Sequence, residues 1–390
     1  MERIGIYGGS FNPPHLGHIR AAQCAVSALD LDAMLLIPCH ISPGKQEAAV
    51  SGFDRMDMLR LAAGDDPKLQ ICQLELARGG TSYTCDTVEK LRLQYPEAEL
   101  YLCVGSDAFC AFSGWKNPEK ILQQVTLVVM HRGGKQERQQ IREAKAALEK
   151  MGARIICLDN AVTDISSTQL RRMLVFGCAK PFLSGKVLEF IREKGLYGTA
   201  ESYKNLPMEQ LEQVVISLLK PCRVNHVLGC RDTAVELARC WGADETDAAR
   251  AGILHDITKA LDGPVQLTLC SEYGIILDEF SENNPKTLHA LTGSLVAQRI
   301  FGENPQVVEA VRWHTTGKAD MTLLQKIIYV ADYMEPNRDF EGVEQLRHLA
   351  FTDLDAALKL GLEMTLAMLR EQGREISPGS QAAIDWLNSK

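Results

Sequence analysis

Short apolar runs alternate with helix-like stretches from Arg3 to about Tyr197. Strands that alternate with helices predict a mostly parallel sheet covered on both faces. In such sheets, ligands bind where strand ends meet helix starts. The runs predicted as strands are RIGIYG, AMLLIP, LQICQLEL, ELYLCVG, TLVVMHR and ARIICLD.

The strand pattern stops after Gly198, and a polar stretch with a proline, TAESYKNLPMEQ, follows. From Met208 onward, apolar residues recur at three- and four-residue spacing, which predicts an all-α second half. We therefore expect an α/β domain over residues 1–200 and an all-α domain over residues 206–390. The predicted helices include LEQVVISLL, HVLGCRDTAVELARCW, DAARAGILHDITKAL, LHALTGSLVAQRIF, VVEAVRWH, LLQKIIYVADYM and LDAALKLGLEMTLAML.

The composition is that of an ordinary globular protein with two cores. The 390 residues exceed the usual size of one hydrophobic core, and 46% of them are hydrophobic and 24% charged. A net charge of -8 without a long basic run argues against nucleic-acid or anionic-membrane partners. The twelve cysteines form no CxxC pair, no run approaches the ~20 apolar residues of a membrane span, and no leader is recognised. These features predict a cytoplasmic protein and leave a homo-oligomer open.

The first candidate site follows the first predicted strand. The glycine-rich turn Gly8-Gly9-Ser10-Phe11 lets backbone amides approach a phosphate closely. His15 and His18 are three residues apart where a helix begins, so both imidazoles lie on one face at its positive end. There they can donate hydrogen bonds to phosphate oxygens as negative charge builds up.

These residues resemble the signatures of the HxGH nucleotidylyltransferase superfamily. The first signature stands as His15-Leu16-Gly17-His18 and the second as Ser166-Ser167-Thr168-Gln169-Leu170-Arg171. The segments SYTCDTVEKL, VGSDAF, WKNPEKI and IREKGLY are similar to those of bacterial nicotinate-mononucleotide adenylyltransferase, the NadD family. The resemblance covers about the first 198 residues. It implies a Rossmann-like domain that transfers AMP from ATP to nicotinate mononucleotide with Mg2+.

The resemblance also implies individual roles. His15 and His18 would hold the ATP phosphates, and Lys45 and Arg171 would neutralise the departing pyrophosphate. Donors at Ser167 and Thr168 would assist them, Asp107 would fix the ribose region, and Thr84 and Trp115 would receive the nicotinate ring, the latter by stacking. Two residues depart from the family pattern without removing a catalytic group: Gly44 precedes Lys45 where the family usually has histidine, and Asn12 follows Phe11 in place of the commoner aspartate.

The helical half carries four histidines and two aspartates next to apolar helix patterns. They are His226, His255, Asp256, His289, His314 and Asp332. A buried carboxylate is costly unless a cation compensates it. Imidazoles and carboxylates without thiolates suit iron, manganese or a similar divalent ion better than structural zinc. Two such ions can generate hydroxide and neutralise a phosphate. Because neighbours within a helix diverge, we expect His255 and Asp256 to point differently, with Asp256 bridging two ions.

This set resembles the HD superfamily, named for the pair His255-Asp256. The segments RVNHVLGC, AGILHDITK, RWHTTGKADMTLLQKIIYVADYMEPNR and FEGVEQLR are similar to the YqeK family over about residues 206–370. That family implies a di-iron enzyme that hydrolyses diadenosine tetraphosphate symmetrically to two ADP. One metal would be held by His226, His255, Asp256 and Asp332, and the other by Asp256, His289 and His314. Lys259 and Arg338 would contact substrate phosphates.

Alternatives remain for both halves. The first could use nicotinamide mononucleotide or phosphopantetheine as acceptor, although the SYT and Trp115 segments favour nicotinate mononucleotide. The second could hydrolyse a deoxynucleotide, a cyclic dinucleotide or an alarmone. It could also be a metal-dependent nucleotide sensor without turnover, but the intact ligand set argues against a sensor, which has no need to activate water.

Overall fold

A computed structural model describes residues 1–44, 46–131, 135–159 and 165–389. The chain divides into two compact units, Met1–Ala200 and Glu201–Lys390. Among the described residues, no helix combines the length and apolar character that a membrane span requires.

A six-stranded parallel sheet forms the centre of the first unit, in the order β3-β2-β1-β4-β5-β6. The strands are β1 (Arg3–Gly9), β2 (Ala33–Pro38), β3 (Leu69–Ile71), β4 (Glu99–Gly105), β5 (Thr126–His131) and β6 (Arg154–Asp159). All six predicted strands are therefore present. The third is shorter than predicted, because the second half of LQICQLEL forms the helix Leu74–Arg78. Such a short apolar run carries too few residues for its period to distinguish strand from helix.

Helices cover both faces of this sheet. They are α1 (Leu16–Ala28), α2 (Gly52–Ala63), α3 (Leu74–Arg78), α4 (Thr84–Gln94), α5 (Ser106–Cys110), α6 (Pro118–Leu122), α7 (Lys135–Lys150), α8 (Ser167–Val175) and α9 (Gly185–Glu193). Alternate strand residues enter two separate apolar clusters, with Ile6 and Leu102 in one and Leu36 and Cys103 in the other. The strands are accordingly apolar on both sides, as a doubly covered parallel sheet requires.

The strand order reverses between the neighbours β1 and β4, because the connection after β1 leads to β2 on one side and the connection after β4 leads to β5 on the other. A crevice opens at the carboxyl ends of the strands at such a point. The amino ends of α1 and α5 follow β1 and β4 there, and α8 begins after β6. This edge holds the residues that the sequence singles out.

The described residues of the second unit form helices and turns, with no strand. The helices are α10 (Met208–Leu218), α11 (Val224–Trp241), α12 (Glu245–Leu254), α13 (Gly263–Glu272), α14 (Glu279–Asn283), α15 (Leu288–Val296), α16 (Pro305–Trp313), α17 (Leu323–Met334), α18 (Val343–Ala350), α19 (Leu354–Glu371) and α20 (Pro378–Asn388). A π-helical turn, Ala297–Phe301, extends α15. The prediction of an all-α second domain is confirmed.

One predicted helix is interrupted at the pair that gives the superfamily its name. The segment DAARAGILHDITKAL is helical only to Leu254, and His255 is the C-cap. Tighter turns follow, in which the amide of Ile257 donates to the carbonyl of Leu254 at 3.1 Å and that of Lys259 to the carbonyl of Asp256 at 2.9 Å. The apolar periodicity continues through this break, so it gave no sign that the helix ends.

Candidate functional sites

The two N-terminal imidazoles lie against each other at the amino end of α1. His15 is the N-cap, and its backbone amide donates to Nδ1 of His18 at 3.2 Å. The rings are stacked, with centroids 3.6 Å apart and planes inclined by 28°. The ring of Phe11 packs edge-on against that of His18, with ring centroids 5.1 Å apart. Both imidazoles thus occupy the positive end of the helix dipole, where an anion is favoured.

Side chains of α8 hold the turn that follows β1. Ser167 Oγ donates to the carbonyl of Pro13 at 3.1 Å. Arg171 donates from Nη1 to the carbonyl of Asn12 at 2.7 Å and from Nη2 to Thr168 Oγ1 at 3.1 Å. Burial lowers the pKa of the Arg171 guanidinium below its usual value, but the group remains a cation at neutral pH. The second signature is therefore hydrogen-bonded to the turn that immediately precedes the first.

A second guanidinium is buried beside Arg171. Arg55 is only 2% exposed, and it donates to the carbonyl of Ser10 at 2.7 Å and to that of His40 at 3.3 Å. Arg55 and Arg171 line one cavity of about 290 Å³, and no carboxylate is among the described residues that line it. Two cations without an acidic partner create a site for an anion.

Two further cavities adjoin this edge of the sheet. One of about 280 Å³ is lined by residues that include His15, His18, Asp107 and Ser167. The other, of about 560 Å³, is lined by residues that include Gly8, Gly9, Thr84 and Trp115. The Trp115 ring is held by Phe112, with centroids 4.8 Å apart. The mostly apolar wall with an aromatic ring suits a flat heteroaromatic group.

In the second unit, the histidines converge on Asp256, which is 1% exposed. Its Oδ2 lies 3.5 Å from Nε2 of His255 and 3.8 Å from Nε2 of His226. Its Oδ1 lies 3.4 Å from Nε2 of His289 and 3.8 Å from Nε2 of His314. The carboxylate therefore stands between two pairs of imidazoles.

Asp332 completes the first of these pairs. Its Oδ1 lies 3.2 Å from Nε2 of His226 and 3.9 Å from Nε2 of His255. Two sets of potential ligand atoms are close enough together to hold an ion: His226, His255 and Asp332, and His255, Asp256 and His314. The six side chains thus form one continuous cluster.

In each of the four histidines, Nδ1 (the outer nitrogen) faces away from the cluster and Nε2 (the inner nitrogen) faces its centre. The partner of Nδ1 determines whether Nε2 can bind a metal ion. Nδ1 of His255, His289 and His314 contacts the carbonyl oxygen three residues earlier, at 2.7, 2.9 and 2.7 Å. Nδ1 of His226 contacts the Glu335 carboxylate at 3.0 Å. Carbonyls and ionised carboxylates only accept hydrogen bonds, so each Nδ1 carries the proton and each Nε2 presents a lone pair to the centre. Metal-binding histidines are oriented in this way.

Burial keeps the imidazoles of His255, His289 and His314 neutral. It lowers the pKa of His255 and of His289 well below the usual value, and that of His314 to about 4. Burial opposes ionisation of Asp332, but the positive charge of Arg338, whose Nη2 lies 2.6 Å from Oδ1, favours it, and the pKa of this carboxyl is well below its usual value. Neutral imidazoles and ionised carboxylates are the forms that bind metal.

Three cationic side chains surround the cluster. Arg223 pairs with Asp256, and Arg338 Nη2 lies 2.6 Å from Asp332 Oδ1. Lys259 Nζ lies 2.8 Å from Nε2 of His289, and burial lowers the pKa of this ammonium to about 8. The cluster is thus bordered by groups that can attract a phosphate.

Comparison with known proteins assigns the two units separately. A family model described as cytidylyltransferase-like matches residues 6–173, and the HD domain model matches residues 223–337. A probable nicotinate-nucleotide adenylyltransferase of Shouchella clausii is 35% identical over 202 residues, which cover 51% of this chain and 98% of that protein. A symmetrical bis(5'-nucleosyl)-tetraphosphatase of Bacillus subtilis is 37% identical over 168 residues, which cover 43% of this chain and 90% of that protein.

The chain thus belongs to the nicotinate-nucleotide adenylyltransferase family and to the HD-domain symmetrical tetraphosphatase family. The predicted fusion of a NadD-like half with a YqeK-like half is confirmed. A solved structure of a predicted HD superfamily hydrolase from Clostridium acetobutylicum is also similar, with 34% identity and a TM-score of 0.46 over 47% of this chain and 98% of that one.

In the adenylyltransferase unit, the structure brings most predicted site residues to one edge of the sheet. Ser10, Ser167, Thr168 and Arg171 share the cavity that contains Arg55. Phe11 is different, because it is 1% exposed and lines none of the three cavities, so its contact with the site is through the ring of His18. Lys45 lies outside the described residues.

In the HD unit, all six predicted ligands lie together, and one expectation was wrong. His255 and Asp256 were expected to diverge as neighbours in a helix, yet His255 Nε2 and Asp256 Oδ2 are 3.5 Å apart. The reason is the end of α12 at Leu254, after which tighter turns allow consecutive side chains to face one centre. Lys259 contacts His289, and Arg338 contacts Asp332.

Sequence reasoning missed three residues of these sites: Arg55, Arg223 and Glu335. Arg223 and Glu335 had a local signal, since each is three residues from a predicted ligand, His226 or Asp332, and so one helical turn away. Arg55 had none, because its contacts with Ser10 and His40 depend on how α2 packs against the sheet.

The residues of the HD cluster fit divalent metal ions. The donor set consists of oriented imidazole nitrogens and two carboxylates, without a thiolate. The carboxylate of Asp256 is almost fully buried, and its two oxygens face different ligand groups, as a bridging ligand requires. HD-domain membership and this chemistry together indicate a divalent-metal centre.

Proposed function

We propose that the adenylyltransferase unit transfers AMP from ATP to nicotinate mononucleotide, which yields deamido-NAD and pyrophosphate. The observation that carries this proposal is the stacked pair His15 and His18 after the glycine turn, in a cavity that shares Ser167 with the anion cavity and Ala108 with the cavity that has an aromatic wall. Family membership supports the same reaction, since the relative from Shouchella clausii is named for it.

In this reaction a phosphate oxygen of nicotinate mononucleotide attacks the α-phosphorus of ATP. The new P–O bond forms as the bond from the α-phosphorus to the oxygen of the β-phosphate breaks, and pyrophosphate leaves with the bonding electron pair. No covalent enzyme intermediate is needed, so the protein contributes positioning and charge stabilisation. His15 and His18 donate hydrogen bonds to the phosphates, and Arg171 and Arg55 neutralise the leaving group. Mg2+ bound with ATP would supply further charge neutralisation.

The other predicted residues serve the acceptor and the ribose. Thr84 stands at the amino end of α4 and Trp115 beside it in the larger cavity, where the nicotinate ring stacks on the indole. Asp107, near the amino end of α5, accepts hydrogen bonds from the ribose region in the neighbouring cavity. Lys45 is proposed as an additional cation for the pyrophosphate.

An acceptor panel tests this proposal. The full chain is incubated with ATP, Mg2+ and one of nicotinate mononucleotide, nicotinamide mononucleotide or phosphopantetheine, and pyrophosphate release is measured. We expect the highest kcat/KM with nicotinate mononucleotide. Preference for either other acceptor would overturn the assignment of substrate while retaining the reaction type.

We further propose that the HD unit hydrolyses diadenosine tetraphosphate symmetrically to two ADP at a centre of two divalent ions. The observation that carries this proposal is Asp256, whose oxygens face His226 and His255 on one side and His289 and His314 on the other. Support for the substrate comes from the Bacillus subtilis relative, which is named a symmetrical tetraphosphatase. Iron is the proposed native metal because the resemblance to the YqeK family implies it; the nitrogen and oxygen donor set suits iron, manganese or a similar divalent ion.

Two bound ions would supply an activated hydroxide and neutralise the phosphate under attack. His226, His255, Asp256 and Asp332 would hold one ion, and Asp256, His289 and His314 the other. The phosphate chain passes beside the cluster, where Lys259 and Arg338 donate charged hydrogen bonds to its oxygens. Hydrolysis of the bond between the second and third phosphates then gives two identical products.

Product analysis tests the second proposal. The full chain is incubated with diadenosine tetraphosphate and iron or manganese, and adenine nucleotides are separated by chromatography. We expect two ADP for each substrate consumed, whereas AMP plus ATP would indicate asymmetric cleavage. A panel with a deoxynucleotide, a cyclic dinucleotide and an alarmone checks other substrates. Absence of turnover with every metal would favour the nucleotide sensor.

A further inference from the structure

The four histidines of the HD cluster do not have equivalent outer partners. Three of them donate Nδ1–H to a neutral main-chain carbonyl three residues earlier. His226 is the exception, since its Nδ1 lies 3.0 Å from the carboxylate oxygen Oε1 of Glu335. The proposed function assigns no role to this carboxylate, which is 1% exposed.

Glu335 is held in one orientation by Asn337. Its other oxygen, Oε2, accepts from the backbone amide of Asn337 at 2.7 Å and from its side-chain amide at 2.8 Å. The same side-chain amide also lies 3.2 Å from the carbonyl oxygen of Asn225, in the helix that carries His226. Oε2 is thus occupied by two N–H donors, and Oε1 remains to accept from Nδ1–H of His226.

The helix of His226 leaves room for this carboxylate. A Cβ atom added at Gly229 would lie 2.6 Å from Glu335 Oε2, which is closer than real Cβ contacts. Gly229 is three residues after His226 and so lies one turn further along the same face of α11. A glycine at this position therefore permits the approach that the hydrogen bond requires.

A carboxylate that accepts a hydrogen bond from the outer nitrogen of a histidine increases the donor strength of its inner nitrogen more than a neutral carbonyl does. Hydrogen bonding of the outer nitrogen to a carboxylate fixes the ring and makes the inner nitrogen a stronger donor to a metal. The His226 side also faces carboxylate oxygens of both Asp256 and Asp332. The His289 side faces one oxygen of Asp256, and the Lys259 ammonium lies 2.8 Å from Nε2 of His289.

We propose that Glu335 is a positioning residue that makes the two metal positions unequal, so that the ion beside His226 binds more tightly than the ion beside His289. Arg223 and Arg338 pair with the carboxylates of the His226 side, so the difference in charge between the two sides is partly offset. Arg338 Nε also lies 3.9 Å from Oε1 of Glu335, but only on the His226 side is the outer partner of a histidine a carboxylate, and this distinguishes the two sides. This inference rests on the proposed two-ion centre.

Binding of Mn2+ to the full chain tests this inference without using activity. Protein freed of metal by chelation is titrated, and free Mn2+ is followed by electron paramagnetic resonance. We expect two classes of site in the wild type. Glu335→Gln keeps the size of the side chain but removes its charge, and it should weaken the tighter class by about 10- to 100-fold. The weaker class should change by less than about threefold.

Two further variants separate positioning from general damage. Glu371→Gln removes an exposed carboxylate at the end of α19 in the same unit and should leave both classes unchanged. Asn337→Ala leaves the Glu335 carboxylate in place but removes one hydrogen bond to it, and should weaken the same class by a smaller factor. It also serves as the test if Glu335→Gln fails to fold, as judged by circular dichroism.

The outcomes distinguish this inference from the proposed function. Two Mn2+ ions bound with equal affinity in the wild type would overturn the inequality but leave the two-ion centre intact. Equal weakening of both classes, or of neither, in Glu335→Gln would overturn the role of Glu335 in the same way. Failure of the wild type to bind two ions would overturn the two-ion centre and the inference together.

Discussion

In the HD unit, Oδ1 of Asp256 lies 3.4 Å from Nε2 of His289, while the other oxygen of the same carboxylate faces away from that imidazole and toward the first ligand group. A single side chain therefore joins both halves of the cluster. Replacing it should affect both proposed metal positions at once, in contrast to a ligand that belongs to one of them.

Asp256→Ala should abolish hydrolysis and spare adenylyl transfer. Loss of a bridging ligand removes charge stabilisation of several kcal/mol, which corresponds to a fall in kcat of about a thousandfold. Both activities are measured on the same preparation, with Asp232→Ala as a control because this carboxylate is exposed. Loss of both activities in Asp256→Ala would contradict two independent sites.

His18→Ala should have the opposite effect. Its ring stacks on His15 at the amino end of α1, where it is proposed to stabilise phosphate charge. Removal of one such donor costs about 100- to 1000-fold in kcat. Hydrolysis of diadenosine tetraphosphate should stay within about twofold of the wild type. His348→Ala, which replaces an exposed histidine, is the control and should leave adenylyl transfer unchanged. Normal adenylyl transfer by His18→Ala would refute the proposed role of His18.

The elements of both units could largely be predicted from the sequence. Buried parallel strands are apolar along their whole length, and apolar residues recur every three to four positions in the helices of the second unit. Both patterns can be recognised within a short stretch of sequence. The break after Leu254 could not be predicted, since Ile257 and Leu261 continue the apolar period while the backbone changes to tighter turns. The hydrophobic pattern reports burial and not the hydrogen-bond ladder.

The site residues also differ in whether the sequence alone could indicate them. His15 and His18 could be paired from the sequence because they are three residues apart. The six predicted ligands of the HD cluster could be singled out because imidazoles and carboxylates are uncommon in apolar helices. Arg55 is contributed by α2, whose sequence carries no motif, and only the tertiary fold creates its contact with Ser10. Long-range hydrogen bonds of this kind leave no periodic signal in one sequence.

Trp115→Ala should raise the KM for nicotinate mononucleotide and leave the KM for ATP within about twofold. Stacking between aromatic rings contributes about 0.5–1.5 kcal/mol beyond burial, so an increase of about tenfold is expected. Trp115→Phe keeps a ring against Phe112 and should restore most of the affinity. An unchanged KM in Trp115→Ala would show that the nicotinate ring binds elsewhere.

Arg55→Met should lower adenylyl transfer without a large loss of stability. The guanidinium is 2% exposed and has no carboxylate among the described residues of its cavity, so its burial is costly in the absence of an anion. Methionine fills similar space without that cost, which offsets the two lost hydrogen bonds, each worth about 1–3 kcal/mol at most. If Arg55 neutralises the leaving pyrophosphate, kcat/KM should fall by about 100-fold, as for other charge-stabilising groups.

Two matched variants make this last prediction specific. Arg55→Lys retains the positive charge but not the two-pronged hydrogen bonding to Ser10 and His40, so its activity should lie between those of the wild type and Arg55→Met. Arg60→Met removes an exposed guanidinium from the same helix and should leave transfer unchanged. Thermal unfolding of each variant checks stability. Normal adenylyl transfer by Arg55→Met would show that the buried cation stabilises the fold and does not act on the pyrophosphate. A large fall in the unfolding temperature of both Arg55→Met and Arg55→Lys would lead to the same conclusion.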